Sequence, residues 1–393
     1  MDDAAPEILY DTSIVSDVRD TYAMFGAMRR AQPITVVEIG SRTVYIALKY
    51  DDVAAVLRDN DTFSSRVMRA VMGPVMGRTI LEMGGQEHTT YRSLVSHAFR
   101  PKEIERYGRE LIEPLVHELL DAILAGGTRA ELVAQLTTHY PLTVIARMLG
   151  VPIRDYAQFQ QWSLDLIGYK PTAPHTGLAA SRALKEYLAP ILAQRKVEPQ
   201  PDLISELLAA RVDGRGLTDD EIFGFLLLLL PAGAETTFRL LGNTLFALLS
   251  HPEQLDAVRA DMDTQLTWAL EETLRWEPPL LGTARETTRP VRLRGVDIPA
   301  RAMVSAMIGP ANHDEDHYDE PERFDIHRHA DDHLSFGLGK HFCLGYHLAR
   351  LEVLTAVRAT LERLKNLSLD PADECYIQGV TFRSPNRLSV VFD

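Results

Sequence analysis

Apolar residues recur at intervals of three and four over residues 17–30, 87–98, 103–125, 155–167, 178–195, 218–250 and 344–364, the spacing that gathers them on one face of an α-helix. Strand patterns are fewer and shorter. Residues 34–38 and 43–47 flank Gly40-Ser41 as a hairpin, and 291–298, 303–308 and 388–392 are further strand candidates. The pattern predicts a mainly α chain with a small β region. Its longest helical run, 218–250, carries Pro231 and Gly233 near the middle. Proline has no N–H to donate and glycine has no side chain, so an interruption of the hydrogen-bond ladder is expected there, beside Glu235 and Thr236. The most apolar part of that run, 222–234, is shorter than the roughly 20 residues a bilayer requires, which argues against a membrane anchor.

The 393 residues are 46% hydrophobic and 24% charged, with a formal net charge of -14. A chain of this length could form two or three domains. No linker, repeat or low-complexity stretch divides it, and the Pro171-Thr172-Ala173-Pro174 break is too short to do so, so residues 1–393 are read as a single domain. Residues 1–7 carry acids where a targeting peptide would carry bases. Two cysteines without a pairing context suit a reducing cytoplasm. The acidic balance and the lack of a basic run exclude nucleic acid as the expected partner.

Candidate chemistry concentrates in Phe336-Gly337-Leu338-Gly339-Lys340-His341-Phe342-Cys343-Leu344-Gly345, a glycine-punctuated loop leading into the helical pattern of 344–364. The glycines allow a tight turn and close approach to a flat ligand. A sulfur at the start of that helix would meet unpaired N–H groups and a positive dipole, which favour thiolate over thiol. A lone cysteine is more often a small buried hydrophobe. The whole loop, however, resembles the signature of the haem-thiolate monooxygenases, the cytochromes P450, with every fixed position of Phe-Gly-x-Gly-x-His-x-Cys-x-Gly filled. The resemblance extends over nearly the whole chain. It implies the P450 fold with a long central helix over a haem b, and Cys343 as the iron ligand.

The same resemblance assigns roles elsewhere. Ala232-Gly233-Ala234-Glu235-Thr236 matches the family's oxygen-activating pattern, in which Thr236 would steady dioxygen and Glu235 would help deliver protons. A mid-helix threonine bonded to its own backbone and a solvated acid are the plain alternative. Glu272 and Arg275 match Glu-x-x-Arg, and Arg323 of Pro321-Glu322-Arg323-Phe324 is expected to complete a structural charge triad. His88, Arg92, Arg285 and His341 are the expected partners of the haem propionates. Gly84-Gly85-Gln86-Glu87 departs from the family's Asp-Pro-Pro-Glu before the histidine. Histidines crowd between His313 and His347, and a metal site built on His313, His317, His327, His329 and His333 is the alternative to an irregular acidic loop. Cys375 stands alone, so zinc-binding cysteine spacings are absent.

By family position, the substrate would meet 71–81, 164–169, 225–232, 280–284 and 379–382, which are rich in apolar residues. A terpenoid, steroid, fatty acid or polyketide would fit. The function implied is insertion of one oxygen atom into such a molecule, by hydroxylation or epoxidation. A peroxide-driven peroxygenase and a non-catalytic haem or ligand sensor are the competing readings. Electrons would come from a ferredoxin and its NAD(P)H-dependent reductase, docked on a basic patch of Lys340, Arg350, Arg358, Arg100 and Lys102.

Overall fold

A computed structural model describes residues 19, 21–39, 42–152, 156–170 and 173–393. The Gly40-Ser41 turn, the start at 1–7, Pro171-Thr172, Asp155 and the beginning of the first helical run lie outside the described residues. Helices occupy Thr21–Ala31, Gly85–Val95, Tyr156–Ile167, His175–Val197, Asp219–Ser250 and Tyr346–Arg363, close to the periodicity. The run expected at 103–125 is Pro101–Tyr107 and Glu113–Ala125 joined by a π-helical turn, Gly108–Ile112. A Cβ at Gly108 would lie 3.1 Å from Leu351 Cδ2, so the turn falls where two helices press together.

Periodicity missed the helix His139–Met148, because Tyr140 to Ala146 and Met148 are all buried. A helix apolar all round has no polar stripe to reveal its period. Tyr50–Arg58, Met68–Met76, Leu203–Ala209 and Pro252–Ala260 are also helical, and Glu272 and Arg275 lie on Met262–Trp276. A five-stranded sheet runs Ile34–Ile39, Arg42–Ala47, Met303–Ala306, Thr283–Thr287, Phe63–Ser64, with one parallel pair between the second and third. Segment 291–298 is not one strand but a hairpin of Val291–Leu293 and Val296–Ile298.

The central helix Asp219–Ser250 keeps its helical course through Pro231 and Gly233, although Pro231 leaves one bond of the ladder unmade. Thr218 and Glu221 close a capping box at its start. Pro231 sits inside the helix, buried with Leu226 to Leu230, so its missing N–H is tolerated where neighbouring helices hold the backbone. Gly233 serves packing instead. A Cβ there would fall 2.6 Å from Ile145 Cδ1 of His139–Met148, so glycine is what lets the two helices approach. By length and apolarity this helix would suffice for a membrane, which overturns the argument from a short apolar run. Its apolar side chains are buried in the protein's largest apolar cluster, as expected of a core helix.

Gly233→Ala is expected to lower stability by about 1–3 kcal/mol through overpacking, although alanine gains up to about 1 kcal/mol in helix propensity. Ile145→Val in the same chain should restore part of the loss. Urea unfolding of the two single variants and the double variant measures this coupling.

Candidate active site

Glu272 and Arg275, one helical turn apart on Met262–Trp276, form a two-point ion pair with both N···O distances 2.8 Å and essentially no solvent exposure. Arg275 spends its remaining donors on the carbonyls of Asn312 (3.0 Å), Pro321 (2.8 Å) and Arg323 (3.1 Å), fixing the irregular segment that leads to the glycine loop. The expected third member is corrected. Arg323 offers only its carbonyl; its guanidinium is exposed and pairs with Glu320 and Asp325. Arg328 reaches Glu272 Oε1 at 3.4 Å instead. Asp325 caps the single 3-10 turn Ile326–Arg328, and that turn swings Arg328 inward. The signal in the sequence was an aspartate three residues before an arginine.

The adjacent Glu271 is buried and holds Arg350 through two bonds of 2.6 and 2.7 Å and His333 at 3.1 Å. Burial alone would raise its carboxyl, but Arg350 and His333 hold it down at about 2. Arg350 also lies over the Phe336 ring, 4.5 Å from its centroid. This ties the helix Tyr346–Arg363 to the loop from below.

In the loop, Gly337 and Gly339 both take φ of +71°, a conformation that other residues adopt at a cost. A Cβ at Gly339 would meet Leu57 O at 3.1 Å, so the loop lies against the end of Tyr50–Arg58. The Cys343 N–H donates to Phe336 O at 2.9 Å. The helix begins at Tyr346 with Gly345 as its cap, two residues later than the sequence suggests. The Cys343 sulfur nonetheless has a backbone N–H of that cap, from Gly345, with Arg92 and Arg350 also favouring its anion; burial outweighs all three and pushes the thiol up. Burial thus opposes the thiolate that the helix start favours. A bound cation would complete the balance, since a metal binds the deprotonated ligand.

His88, Arg92, Arg285 and His341, spread over the chain, line one cavity of ≈ 360 Å³ together with Phe336, Gly337, Cys343 and Gly345. His88 and His341 have ring centroids 4.4 Å apart. Ser65 Oγ lies 2.9 Å from His341 Nε2. Desolvation, followed by His88, Arg285, Arg92 and Lys340, depresses His341 to about 3. Arg285 is 5% exposed, reaches only Thr283 Oγ1 and Ala284 O, and burial brings it down to about 10. Its Nε and the Nε2 of His88 are buried without partners among the described residues. Arg92 is drawn partly into the scaffold, donating to Phe342 O (2.7 Å) and Lys340 O (3.4 Å).

These features fit a haem. Two arginines and two histidines converge with no carboxylate bonded to them among the described residues, as two propionates require. Gly345 lines the cavity beside Cys343, and a Cβ on it would meet only Phe99, at 4.0 Å. That missing side chain leaves a flat surface beside the sulfur. When bound, the haem-thiolate cofactor activates dioxygen with two electrons and two protons.

Across the cavity, Thr236 lines the wall and donates its hydroxyl hydrogen to Ala232 O at 2.8 Å, the back-bonded form. Its oxygen remains an acceptor. Glu235 does not line the cavity; it is 2% exposed, and Arg239 Nη2 lies 3.4 Å from its Oε2. Burial raises the Glu235 carboxyl against the pull of Arg239.

Of the segments expected to meet substrate, Ile80, Leu81, Phe225, Leu228, Leu229, Ala232, Leu280 and Thr283 reach the wall. Residues 164–169 and 379–382 do not, and Met68, Ile145, Leu240 and Ile308 take their place. One charged wall residue escaped notice. Glu352, on the helix after Cys343, is 1% exposed, with Oε2 unpartnered among the described residues and its carboxyl raised well by burial. No group of three metal-ligating side chains occurs among the described residues. The crowded histidines are engaged singly: His313 with Trp276 O, His317 with Asp332, His333 with Glu271, and His329 stacked on Trp268.

The family model of cytochrome P450 matches residues 156–381. Erythromycin C-12 hydroxylase of Saccharopolyspora erythraea is 38% identical over 89% of this chain and 88% of its own length. The cytochrome P450 monooxygenase PikC of Streptomyces venezuelae is 37% identical over 93% and 89%. Among solved structures, cytochrome P450 CYP109Q5 from Chondromyces apiculatus superposes with a TM-score of 0.86 at 35% identity, covering 100% of this chain and 98% of that one.

Arg328→Met is expected to cost about 1.5–3 kcal/mol, the value of a hydrogen bond to a charged group, whereas Arg323→Met should stay within about 0.5 kcal/mol, as for an exposed side chain. Chemical denaturation of both variants decides which arginine completes the triad.

Proposed function

The chain belongs to the cytochrome P450 family, and from that premise we propose that it holds a non-covalent haem b through Cys343 and oxidises a neutral, apolar substrate with electrons from a ferredoxin. It is a monooxygenase: one oxygen atom enters a hydrophobic small molecule, by hydroxylation or epoxidation, and the other leaves as water. The observation that carries the substrate reading is the division of the cavity. Apart from Cys343, its ionisable lining residues are His88, Arg92, Arg285, His341 and Glu352, none of them on the central helix, whose wall offers leucines, phenylalanine and threonine hydroxyls. A charge buried there without a partner would be expensive. Among the molecules that fit the family, this favours neutral terpenoids, steroids and polyketides over free fatty acids.

The haem b assignment rests on the cysteines. Only Cys343 and Cys375 are present, and neither forms the Cys-x-x-Cys-His attachment of covalent haem. His88, Arg92, Arg285 and His341 would take the propionates, and Phe336, Gly337 and Gly345 would bound the ring near the sulfur. Cys343 would tune the iron through its Gly345 N–H bond. Thr236 would hold a proton-bearing hydroxyl at the central-helix wall, and Glu235 would supply protons from behind it. This pair favours oxygen activation over the peroxide-driven alternative. The relatives are named as hydroxylases and monooxygenases, which removes the sensor.

We propose that residues 1–393 act as one domain in the cytoplasm, since the largest apolar cluster draws on residues from Val71 to Phe392. The donor face is revised. Arg350 is bound to Glu271 and Arg358 pairs with Asp263, so they are less available than their charges suggest. Lys340 lies 3.8 Å from Asp61, while Arg100 and Lys102 are exposed beside the helix that follows Cys343. The ferredoxin is placed over those three.

Reduced protein with carbon monoxide should show the red-shifted band of thiolate ligation; Cys343→His should abolish it and Cys375→Ser should keep it. Neutral apolar esters should shift the haem spin state at concentrations at least tenfold lower than the matching carboxylates, and equal titration of the two would reject the neutral-substrate reading. Thr236→Ala should bind haem and substrate yet form less product for each NAD(P)H consumed. Unchanged coupling would reject the role of that hydroxyl.

A further inference from the structure

The central helix carries a second acid–arginine pair whose geometry is the opposite of the Glu272–Arg275 clamp. Glu235 and Arg239 stand one turn apart and are both largely buried. Yet a single long contact of 3.4 Å, from Arg239 Nη2 to Glu235 Oε2, joins them. The shorter bond of Arg239, 3.0 Å, goes from Nη1 to the neutral Ser384 Oγ. Its Nε is buried without a partner among the described residues, and its guanidinium lies 4.6 Å from the Phe238 ring centroid. A guanidinium free to choose would take a carboxylate through two parallel bonds. Here the serine holds it short of that arrangement.

Ser384 belongs to the C-terminal hairpin formed by Ile377–Gln378 and Ser384–Pro385. That hairpin is fixed against the central helix, because Asn243 Nδ2 donates to Arg383 O at 3.3 Å and Pro385 lies against Gly242. It also reaches the cavity wall indirectly, since Phe382 pairs by a β-bridge with Leu280, which lines the cavity. Arg239 is therefore shared between an acid behind the central-helix wall and a hairpin that borders the substrate side.

We propose that Arg239 is a positioning residue for proton delivery, and that Ser384 holds it at a distance that leaves Glu235 able to exchange a proton. The proposal rests on the reading that Glu235 supplies protons. No other charged group acts on Glu235 among the described residues. On the hairpin, Arg383 is engaged by Glu277, and on His139–Met148, Arg147 turns to Glu118. Two opposed effects set the carboxyl: burial, which favours the neutral acid, and Arg239, which favours the anion. Removing the arginine leaves burial unopposed and must raise the carboxyl further. Removing the serine frees Arg239 to close on Glu235 and must lower it.

The test is the pH titration of the Glu235 carboxylic-acid band in infrared difference spectra of the haem-loaded protein, assigned by its disappearance in Glu235→Gln. Arg239→Met is expected to move the titration up by about one pH unit or more, equivalent to tenfold in proton affinity. Ser384→Ala should move it down, and Arg239→Lys should return it toward the parent. Opposite shifts are not what a merely structural pair would give. If Arg239→Met fails to fold, Ser384→Ala and Arg239→Lys carry the test. An unmoved band in the variants that fold, or a shift of Ser384→Ala in the same direction as Arg239→Met, overturns the proposal. Product formed per NAD(P)H in Glu235→Gln separately tests the underlying reading: unchanged coupling removes Glu235 from proton delivery and with it the role given to Arg239, whatever the band does.

Discussion

The buried clamp between Glu272 and Arg275 is the interaction on which the site's geometry depends. Breaking a buried ion pair costs about 3–5 kcal/mol, because the surviving charge is left without a partner. More is at stake here than the pair. Arg275 gathers three carbonyls from 312–323, a stretch with little regular structure to hold its own shape, and Asn312 in turn binds the Leu334 N–H and the Ser335 hydroxyl. Those residues open the glycine loop. The position of Cys343 thus descends from one helix through a chain of hydrogen bonds made by the Arg275 and Asn312 side chains, and Glu271 on that helix anchors Arg350 just beyond the cysteine.

Around the cavity the balance is reversed. Where the clamp pairs its buried charges fully, the cavity gathers Arg92, Arg285 and two histidines with no carboxylate bonded to them among the described residues, and a sulfur whose anion is disfavoured by burial. Such a site is costly in isolation and is relieved by a ligand that brings carboxylates to one side and a cation to the other. A haem does both. The closed clamp and the under-compensated cavity divide the protein's buried charges between stability and cofactor binding.

The parts of the site that were legible in the sequence are those confined to short segments. Phe336 to Gly345 works through turns at Gly337 and Gly339 and a local N–H bond to sulfur, all set by neighbours in the chain. Glu272 and Arg275 are legible for the same reason, since three residues is one helical turn. Arg323 was misread because a charge next to a proline in an irregular stretch says nothing about which way it points; only the capped turn at Asp325 shows that Arg328 is the one directed inward.

Sequence alone determined the helical balance of the chain, the length of the central helix and the cysteine loop, because periodicity and turn chemistry act over a few residues. Tertiary structure decided the rest. Gly233 looked like a break and is a contact with Ile145, some ninety positions away; Glu235, beside Thr236 in the chain, is turned toward Arg239. His88, Arg285 and His341 became a single site only when a helix, a sheet and a loop converged. The physical reason is that a side chain's partner, burial and charge cost are properties of its surroundings, and for these residues the surroundings come from distant parts of the chain.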